Sequence, residues 1–336
     1  SVLHSRRRRR EATMIIFGSA VTDANLYDRC ALKGINLAKE DDSIVLAHQS
    51  TGTLFRNYNL VLDLAKEHEG MEALVLLHQD AEICDPNFIP TLREAFSDPD
   101  VAIVGCAGAV GVRSIAWWEG AVTWASFTHR YTELGGGQFD SMSWDDARTP
   151  SISHTGEVDV IDGFVLAMSP WAVENLRFDE ALGKLHGYDF DICCQAREKG
   201  KKVITADMRV IHHHSLDLIS DPETWMEAYI RLAEKWEGRL PHLNDPGTDL
   251  HARALRAEAD AAAAKGAHAS GQLRYQALER HYFELTNTAA WRFTEKLRRL
   301  RNRFTPSNGA RAREAEEQVA AMRPHEPTGA PRRAES

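Results

Sequence analysis

Short apolar runs alternate with segments of helical periodicity over most of the chain. Apolar positions three or four residues apart, as at Tyr58, Leu62 and Ala65, predict helices between the runs. The runs themselves predict β-strands at residues 14–17, 43–48, 74–77 and 101–104. Strands that alternate with helices form βαβ units. The pattern therefore predicts an α/β fold with a mostly parallel central sheet flanked by helices.

The third predicted strand ends in a polar triplet. Ala73 to Leu77 is a continuous apolar run, which indicates a strand buried on both faces, and His78-Gln79-Asp80 follows it directly. Ligands of such sheets bind just beyond the carboxyl ends of the strands. His78 and Asp80 are therefore candidates for a site, although an aspartate at this position is also typical of a helix cap.

Further candidates come from the second half of this region. A strand near 158–161 runs into Asp162-Gly163, and Asp189 begins a helix that ends at Gly200, in a place where the free N–H groups favour a carboxylate. Another strand leads into His212-His213-His214. Residues 117–153 lose periodicity and predict an irregular functional loop. The tryptophans of this loop, Trp118 among them, could contact a flat ligand such as a sugar or pack the loop onto the sheet.

The C-terminal third has a different pattern. Residues 251–285 are alanine-rich and predict a helix interrupted near 266–271. Residues 286–305 contain six basic residues and one acidic residue, with Phe293, Leu297, Leu300 and Phe304 on one helical stripe. A basic amphipathic helix is typical of binding to an anionic membrane surface, and packing on a protein is the alternative. The predicted organisation is a disordered basic extension over 1–13, a globular domain over 14–245, a helical extension over 246–305 and a disordered tail over 306–336.

Charge and cysteine content indicate which partners and which cellular compartment to expect. The chain of 336 residues has a net charge of −9, which argues against a nucleic-acid partner. Its five cysteines are odd in number and form no CxxC pair, so we expect a reducing compartment, the cytoplasm. We expect no signal peptide and no membrane-spanning segment. A lipid-binding tail would add a peripheral position on the inner face of the plasma membrane.

The order of these motifs resembles the family 2 glycosyltransferases of GT-A fold, in particular a bacterial branch whose acidic motif is His-Gln-Asp. The resemblance covers about residues 14–220. It is carried by Leu76 to Asp80, by Val160 to Phe164, by Phe178-Asp179-Glu180 with Tyr188 to Gly200, and by Val210 to Ser215. It implies an inverting transfer of a sugar from a nucleotide-sugar donor to a glycan or lipid-linked acceptor, in the synthesis of a polysaccharide or the cell envelope.

The resemblance also implies roles for individual residues. Asp189 would be the catalytic base, preceded by Tyr188 where relatives usually have Glu or Asp. A divalent cation, Mn²⁺ or Mg²⁺, would be held by Asp80, with His78 in place of the usual first aspartate. A histidine of the closing strand would complete the site, and His213 fits the family register best, with His214 second. Donor contacts would fall on Ser19, Asp23, Arg56 and Asn59. Acceptor contacts would fall on Asp162, Gly163, Asp191 and Trp118.

Two departures from the family pattern keep a second hypothesis open. The motif begins with His78 instead of aspartate, and Ala47-His48-Gln49 stands where the second strand usually ends in an acidic residue. These changes would also suit a GT-A-like subunit without turnover that binds glycans or acts as a scaffold. Within the first hypothesis, Asp189 could still be a plain helix cap, and the three histidines could be a structural strand end.

Overall fold

The computed structural model describes residues 14–112, 115, 122–125, 127–131, 140–143, 155–214, 221–236, 239 and 250–304. The segments 1–13 and 306–336 and the candidate Trp118 lie outside these residues. The chain divides into two compact units between Pro246 and Gly247. The first unit contains all the described strands, and the described part of the second contains only helices.

A seven-stranded sheet forms the centre of the first unit. Its order is β10-β13-β5-β12-β3-β1-β2. Five strands run in one direction, and β12 and β10 run in the other. The strands are β1 (Met14–Val21), β2 (Ile44–Gln49), β3 (Met71–Leu77), β5 (Val101–Gly105), β10 (Glu157–Val158), β12 (Val165–Met168) and β13 (Lys202–Thr205).

Two smaller sheets complete the strand layer. The first has the order β11-β6-β7 and the second has the order β4-β14-β8-β9. Their strands are β4 (Ala81–Ile83), β6 (Ala107–Val110), β7 (Val122–Ala125), β8 (Phe127–Tyr131), β9 (Asp140–Ser143), β11 (Val160–Ile161) and β14 (Val210–His214). Strand β4 follows β3 after a three-residue turn, so the second small sheet begins where the apolar run of the central sheet ends.

Helices cover the central sheet because its strands are apolar on both faces. Residues Ala73 to Leu77 of β3 have no exposed surface. The helices of this unit are α1 (Ala24–Arg29), α2 (Ala31–Ala38), α3 (Leu54–Lys66), α4 (Phe88–Ala95), α5 (Pro170–Asn175), α6 (Tyr188–Glu198) and α7 (Pro222–Trp236), with a short 3-10 helix at Glu180–Leu182. The predicted α/β class with a central sheet flanked by helices is confirmed.

The second unit consists, in its described part, of α8 (Leu250–Thr286) and α9 (Ala289–Phe304). The predicted helical extension is therefore present. Among the described helices, none combines the length and the hydropathy that a bilayer crossing requires.

Two details differ from the sequence predictions. Helix α8 is continuous through Gly266 and Gly271, where an interruption was expected, since isolated glycines cost a helix only about 1 kcal/mol each. The region expected to be irregular, 117–153, contains β7, β8 and β9. Strand β7 pairs with the preceding strand β6, but β8 pairs with β14, which is far along the chain, so local periodicity could not reveal the sheet to which β8 belongs.

Candidate active site

The ends of three strands meet just beyond the carboxyl end of β3. The His78 N–H donates to the carbonyl of Phe164, at the start of β12, with a distance of 3.0 Å. The His213 N–H of β14 donates to the carbonyl of Asp80 with a distance of 2.8 Å. These backbone bonds fix the His78–Asp80 turn between β12 and β14. Residues that are more than 80 positions apart in the chain are thereby held in one place.

His78, Asp80 and His212 form a compact cluster at this point. Asp80 Oδ1 lies 3.6 Å from His212 Nε2 and 3.9 Å from His78 Nδ1. One ligand atom from each residue falls within 4.8 Å of the others. Two imidazole nitrogens and one carboxylate oxygen suit a divalent transition metal such as Mn²⁺ better than Mg²⁺, which prefers oxygen ligands. The donor set therefore fits a divalent metal.

The electrostatics of the cluster favour an ionised carboxylate. Burial works to raise the pKa of Asp80, but the nearby charge and hydrogen bond of His212, with His78, outweigh it and hold the pKa well below its usual range. Burial likewise works to lower the pKa of His212, and Asp80 outweighs it, so that the pKa is raised. The His212 ring is 6% exposed and stacks on Phe164, with ring centroids 4.4 Å apart.

His213 points to the other side of β14. Its Nε2 lies 2.8 Å from Glu82 Oε2, and Glu82 also accepts a hydrogen bond from Lys33 Nζ at 2.5 Å. Successive side chains of a strand alternate between its faces, so His212 and His213 cannot both face Asp80. The family register had suggested His213 as the third ligand. The structure instead brings His212 to the cluster, and the His214 side chain lies outside the described part.

Tyr188 and His78 share a hydrogen bond of 2.6 Å between the Tyr188 hydroxyl and His78 Nε2. The bond leaves Nδ1, the nitrogen nearer Asp80, as the available ligand atom. The Tyr188 ring is buried against Phe55, Tyr58 and Phe178. It lies so close to Gly163 that a Cβ at that position would overlap the ring. His78 and Tyr188, which each depart from the family pattern, are therefore in contact with each other.

Asp189 lies at the N-terminus of α6, next to Tyr188. Its Oδ2 accepts from the Gly163 N–H at 2.9 Å, and its Oδ1 accepts from the Phe190 N–H at 3.0 Å. Burial, and after it the neighbouring carboxylate of Asp162, raise the pKa of Asp189 to about 7. Gly187, with φ of 84°, allows the chain to enter the helix at this angle. The side chain is thus a half-buried carboxylate that can exchange a proton near neutral pH.

Asp191 has a different environment from the one expected of an acceptor-binding residue. It is fully buried, and its Oδ1 accepts from Trp236 Nε1 at 2.8 Å and lies 2.7 Å from Lys235 Nζ. Its Oδ2 accepts from Gln195 Nε2 at 2.7 Å. Because Asp191 has no exposed surface and is covered by α7, it cannot contact an acceptor, and it anchors α7 to α6 instead.

A cavity of about 340 Å³ opens beside the cluster and is the natural place for a small-molecule ligand. Its lining includes His78, Asp80 and Tyr58 together with Gly52 and Lys184. Gln79, between the two cluster residues, lines it as well. The Gln79 amide accepts from the Thr22 and Asp23 N–H groups at 2.9 Å and donates to the Thr22 hydroxyl at 2.7 Å. Gln79 thereby ties the end of β1 to the end of β3.

The four expected donor-binding residues have unequal positions. Asp23 caps α1 and is exposed next to Thr22, and Arg56 is exposed beside Gly52, so each adjoins a residue that lines the cavity. Ser19 is only 1% exposed within β1, which prevents direct contact with a ligand. The Asn59 amide is occupied by the Phe178 backbone, with distances of 3.0 and 2.9 Å, and thereby holds the segment before the 3-10 helix. Neither Ser19 nor Asn59 therefore agrees with a donor contact.

Three residues of the site escaped the sequence reasoning. His212 was passed over for His213, and Gln79 and Tyr188 were not assigned any role. Each acts through a partner distant in the chain, and Tyr188 is 110 positions from His78. The one available signal was that His78 and Tyr188 both depart from the family pattern, which is typical of two residues in contact.

Comparison with known proteins decides the family. The family described as "Glycosyltransferase like family" matches residues 16–227, which include the central sheet from Ile16 onward and all of the cluster. The chain belongs to this family. The streptomycin biosynthesis protein StrF of Streptomyces griseus is 26% identical over 262 residues, covering 72% of this chain and 85% of StrF. The O-antigen biosynthesis protein RfbC of Myxococcus xanthus is 25% identical over 216 residues, covering 59% of this chain but 16% of RfbC.

Two solved glycosyltransferases are more distant. A mannosyltransferase from Pyrobaculum calidifontis in complex with GDP-mannose and Mn²⁺ is 15% identical, with a TM-score of 0.40, and 83% of this chain and 82% of that one are covered. The structure of GalNAc-T7 with UDP, GalNAc and Mn²⁺ is 11% identical, with a TM-score of 0.43, and 68% of this chain and 49% of that one are covered.

Proposed function

We propose that this member of the glycosyltransferase-like family is a metal-dependent inverting enzyme. It moves a sugar from a nucleotide-sugar donor to a glycan or lipid-linked acceptor in polysaccharide or cell-envelope biosynthesis. The observation that carries the proposal is the cluster of His78, Asp80 and His212 at the wall of a cavity. Asp189 follows Tyr188 in the chain, and the Tyr188 hydroxyl shares a hydrogen bond with His78. The biosynthetic names of StrF and RfbC support the general setting.

In this proposal Asp80, His78 and His212 hold the cation, with His212 taking the part that the register suggested for His213. When held there, Mn²⁺ or Mg²⁺ would supply positive charge to offset the negative charge of the departing diphosphate. The two imidazoles favour Mn²⁺. The low pKa of Asp80 supports this role, because a metal ligand must be deprotonated.

Asp189 is the proposed general base. It takes the proton from the acceptor hydroxyl while the hydroxyl oxygen attacks the anomeric carbon, and the nucleoside diphosphate leaves from the opposite face. A base works best when its pKa is near the operating pH, which agrees with the value of about 7. Asp162 and Gly163, which adjoin Asp189, are the proposed acceptor contacts. The nucleotide occupies the cavity, near Asp23, Arg56 and Lys184.

Donor binding tests the metal site. Isothermal titration calorimetry with a panel of sugar nucleotides, with and without Mn²⁺, should find one donor that binds only when the metal is present. Asp80→Asn should abolish that dependence. Asp42→Asn is the matched control, because Asp42 is an exposed carboxylate in the turn before β2. Metal-dependent binding that persists in Asp80→Asn contradicts the assignment.

Turnover separates an enzyme from a binding subunit. With the donor identified, release of nucleoside diphosphate in the presence of Mn²⁺ is expected, and NMR of the product should show an inverted anomeric configuration. Tight donor binding without any turnover, with or without a range of acceptors, would favour the non-catalytic glycan-binding or scaffolding subunit.

We further propose that α9 binds an anionic membrane surface. Phe293, Leu297 and Leu300 are 50–63% exposed on one stripe. The basic residues Arg292, Lys296, Arg298, Arg299 and Arg301 surround a single acidic residue, Glu295, which pairs with Arg298 and Arg299. Each basic residue near anionic lipid contributes about 1 kcal/mol.

Vesicle sedimentation tests this second part. The full chain should pellet with phosphatidylglycerol vesicles and not with phosphatidylcholine vesicles, and deletion of residues 286–305 should abolish pelleting. Pelleting that survives the deletion would reject α9 as the binding element.

A further inference from the structure

Helix α8 is long, and most of its described side chains are exposed. It has 37 residues and therefore a length of about 55 Å. Its large apolar side chains in the described part are widely exposed, and Tyr275, Leu278, Tyr282 and Leu285 are 46–66% exposed. An isolated helix gains most of its stability from an apolar face packed on a partner. So much exposed apolar surface on one helix indicates that α8 has a binding partner.

One stripe of eight positions along α8, here called the seam, indicates the partner by its spacing. Eight consecutive positions are separated by three and four residues in strict alternation: Ala261, Ala264, His268, Gly271, Tyr275, Leu278, Tyr282 and Leu285. This 3.5-residue period is the heptad repeat of a left-handed coiled coil. The side chains of the seam are mostly small in its first half and large in its second half. Leu273 and Phe283 lie outside the seam. His268 and Gly271 weaken its middle.

The charges beside the seam are complementary between two copies of the same helix. In a parallel, in-register pair, the residue before one seam position faces the residue five positions later in the partner helix. Arg274 would therefore face Glu279 of the second copy, and the reverse pair forms by symmetry. Among the described residues, neither has an ion-pair partner within its own chain. In the sequence, Asp260 and Lys265 have the same spacing as Arg274 and Glu279, with the acidic residue first.

We propose that α8 associates with α8 of a second copy as a parallel, in-register two-stranded coiled coil over residues 261–285. The chain is then a dimer in which the helical extension joins two glycosyltransferase units. This association is independent of the metal site and of the proposed reaction.

Two glycine substitutions test the seam. Gly271 is in the seam and Gly266 is on the outer side of the helix, and a Cβ at either position would meet open space within its own chain. Leucine raises helix propensity equally at both. Only Gly271→Leu adds buried apolar surface to a coiled coil. Sedimentation equilibrium of the full chain should show a dimer dissociation constant lowered by about tenfold or more for Gly271→Leu and unchanged for Gly266→Leu.

Charge reversal tests the register. Arg274→Glu and Glu279→Arg should each weaken the dimer by several-fold to about tenfold, because each places like charges opposite one another twice. The double variant should recover the affinity of the unchanged chain. An equal mixture of the two single variants should form the mixed dimer in preference to either homodimer.

Three results would overturn the proposal. The first is a full chain that remains monomeric at 100 µM, which would mean that α8 packs elsewhere on its own chain or on another partner. The second is an equal effect of Gly266→Leu and Gly271→Leu, which would mean that helicity alone matters. The third is a double charge reversal that dimerises no better than the single variants, which would reject the parallel register.

Discussion

Removal of one hydroxyl group at Tyr188 should weaken metal binding without disturbing the fold. Tyr188→Phe deletes the partner of His78 Nε2, which is 2.6 Å away, and retains the ring that packs on Phe55, Tyr58 and Phe178. In the metal-free protein the His78 ring can turn to another partner. In the proposed metal-bound state Nδ1 is held by the metal, so Nε2–H is left without its acceptor. The loss therefore falls mainly on the bound state.

The expected size follows from the cost of leaving a partly buried donor unsatisfied, since the His78 side chain is 26% exposed. That cost is about 1–3 kcal/mol, and 1.4 kcal/mol corresponds to a factor of ten in affinity. The Kd for Mn²⁺ should rise by about 5- to 150-fold. Substitution of residues that orient metal ligands commonly reduces metal affinity by about 10- to 100-fold, which agrees with this range.

Calorimetric titration with MnCl₂ measures this effect, and Tm checks the fold. Tyr27→Phe is the matched control, since the Tyr27 hydroxyl is buried and has no hydrogen-bond partner among the described residues. It should leave the Mn²⁺ affinity unchanged. In a His78→Ala background, Tyr188→Phe should have no further effect, because the two residues act as one unit. Equal Mn²⁺ affinity in Tyr188→Phe and the unchanged chain, with equal Tm, would refute the reasoning.

Further predictions concern the two aspartates of α6. Asp189→Asn should lower kcat by about 10²- to 10⁴-fold with folding intact, and near-normal turnover would remove it as the base. The kcat/KM of the unchanged chain should rise with pH and level off above about pH 7, and a flat profile would count against this assignment. Between the ordinary pKa of an aspartate and about pH 7, the folded state keeps a proton on Asp189 that the unfolded chain has released. The contribution of Asp189 to stability therefore falls as the pH rises through this range. The Tm of Asp189→Asn relative to the unchanged chain should therefore increase between about pH 5 and about pH 8, as thermal unfolding at each pH can show. Asp191→Ala leaves Trp236 Nε1 without its acceptor, while Lys235 keeps Asp179 as an ion-pair partner, so the change should cost about 1–3 kcal/mol in urea unfolding. A loss below about 0.5 kcal/mol would contradict the buried network.

Local pattern was sufficient for the architecture and for part of the site. The apolar run before His78 can only be buried, and it places the polar triplet at a strand end whatever the neighbouring strands are. Asp189 could be found for a similar reason, since its position in the first turn of α6 follows from the chain near it. The amphipathic stripe of α9 is also a property of the local sequence.

Tertiary structure decided which of several equivalent side chains belong to the site. His212 and His213 are neighbours on one strand, and only the pairing of β14 with β4 and β8 determines which of them faces Asp80. Asp189 and Asp191 are both acidic residues in the first turn of α6, but α7 covers the second and not the first. Ser19 lies within a strand whose burial depends on the helices above it.

The contact between Tyr188 and His78 is the clearest case. Each residue alone looks like a departure from the family pattern, and together they form one hydrogen bond. Sequence determines the chemistry that is available at each position, because side-chain type and local periodicity are encoded there. The fold determines which of these groups meet, because the distances between them depend on strand order and on packing across more than a hundred residues of chain.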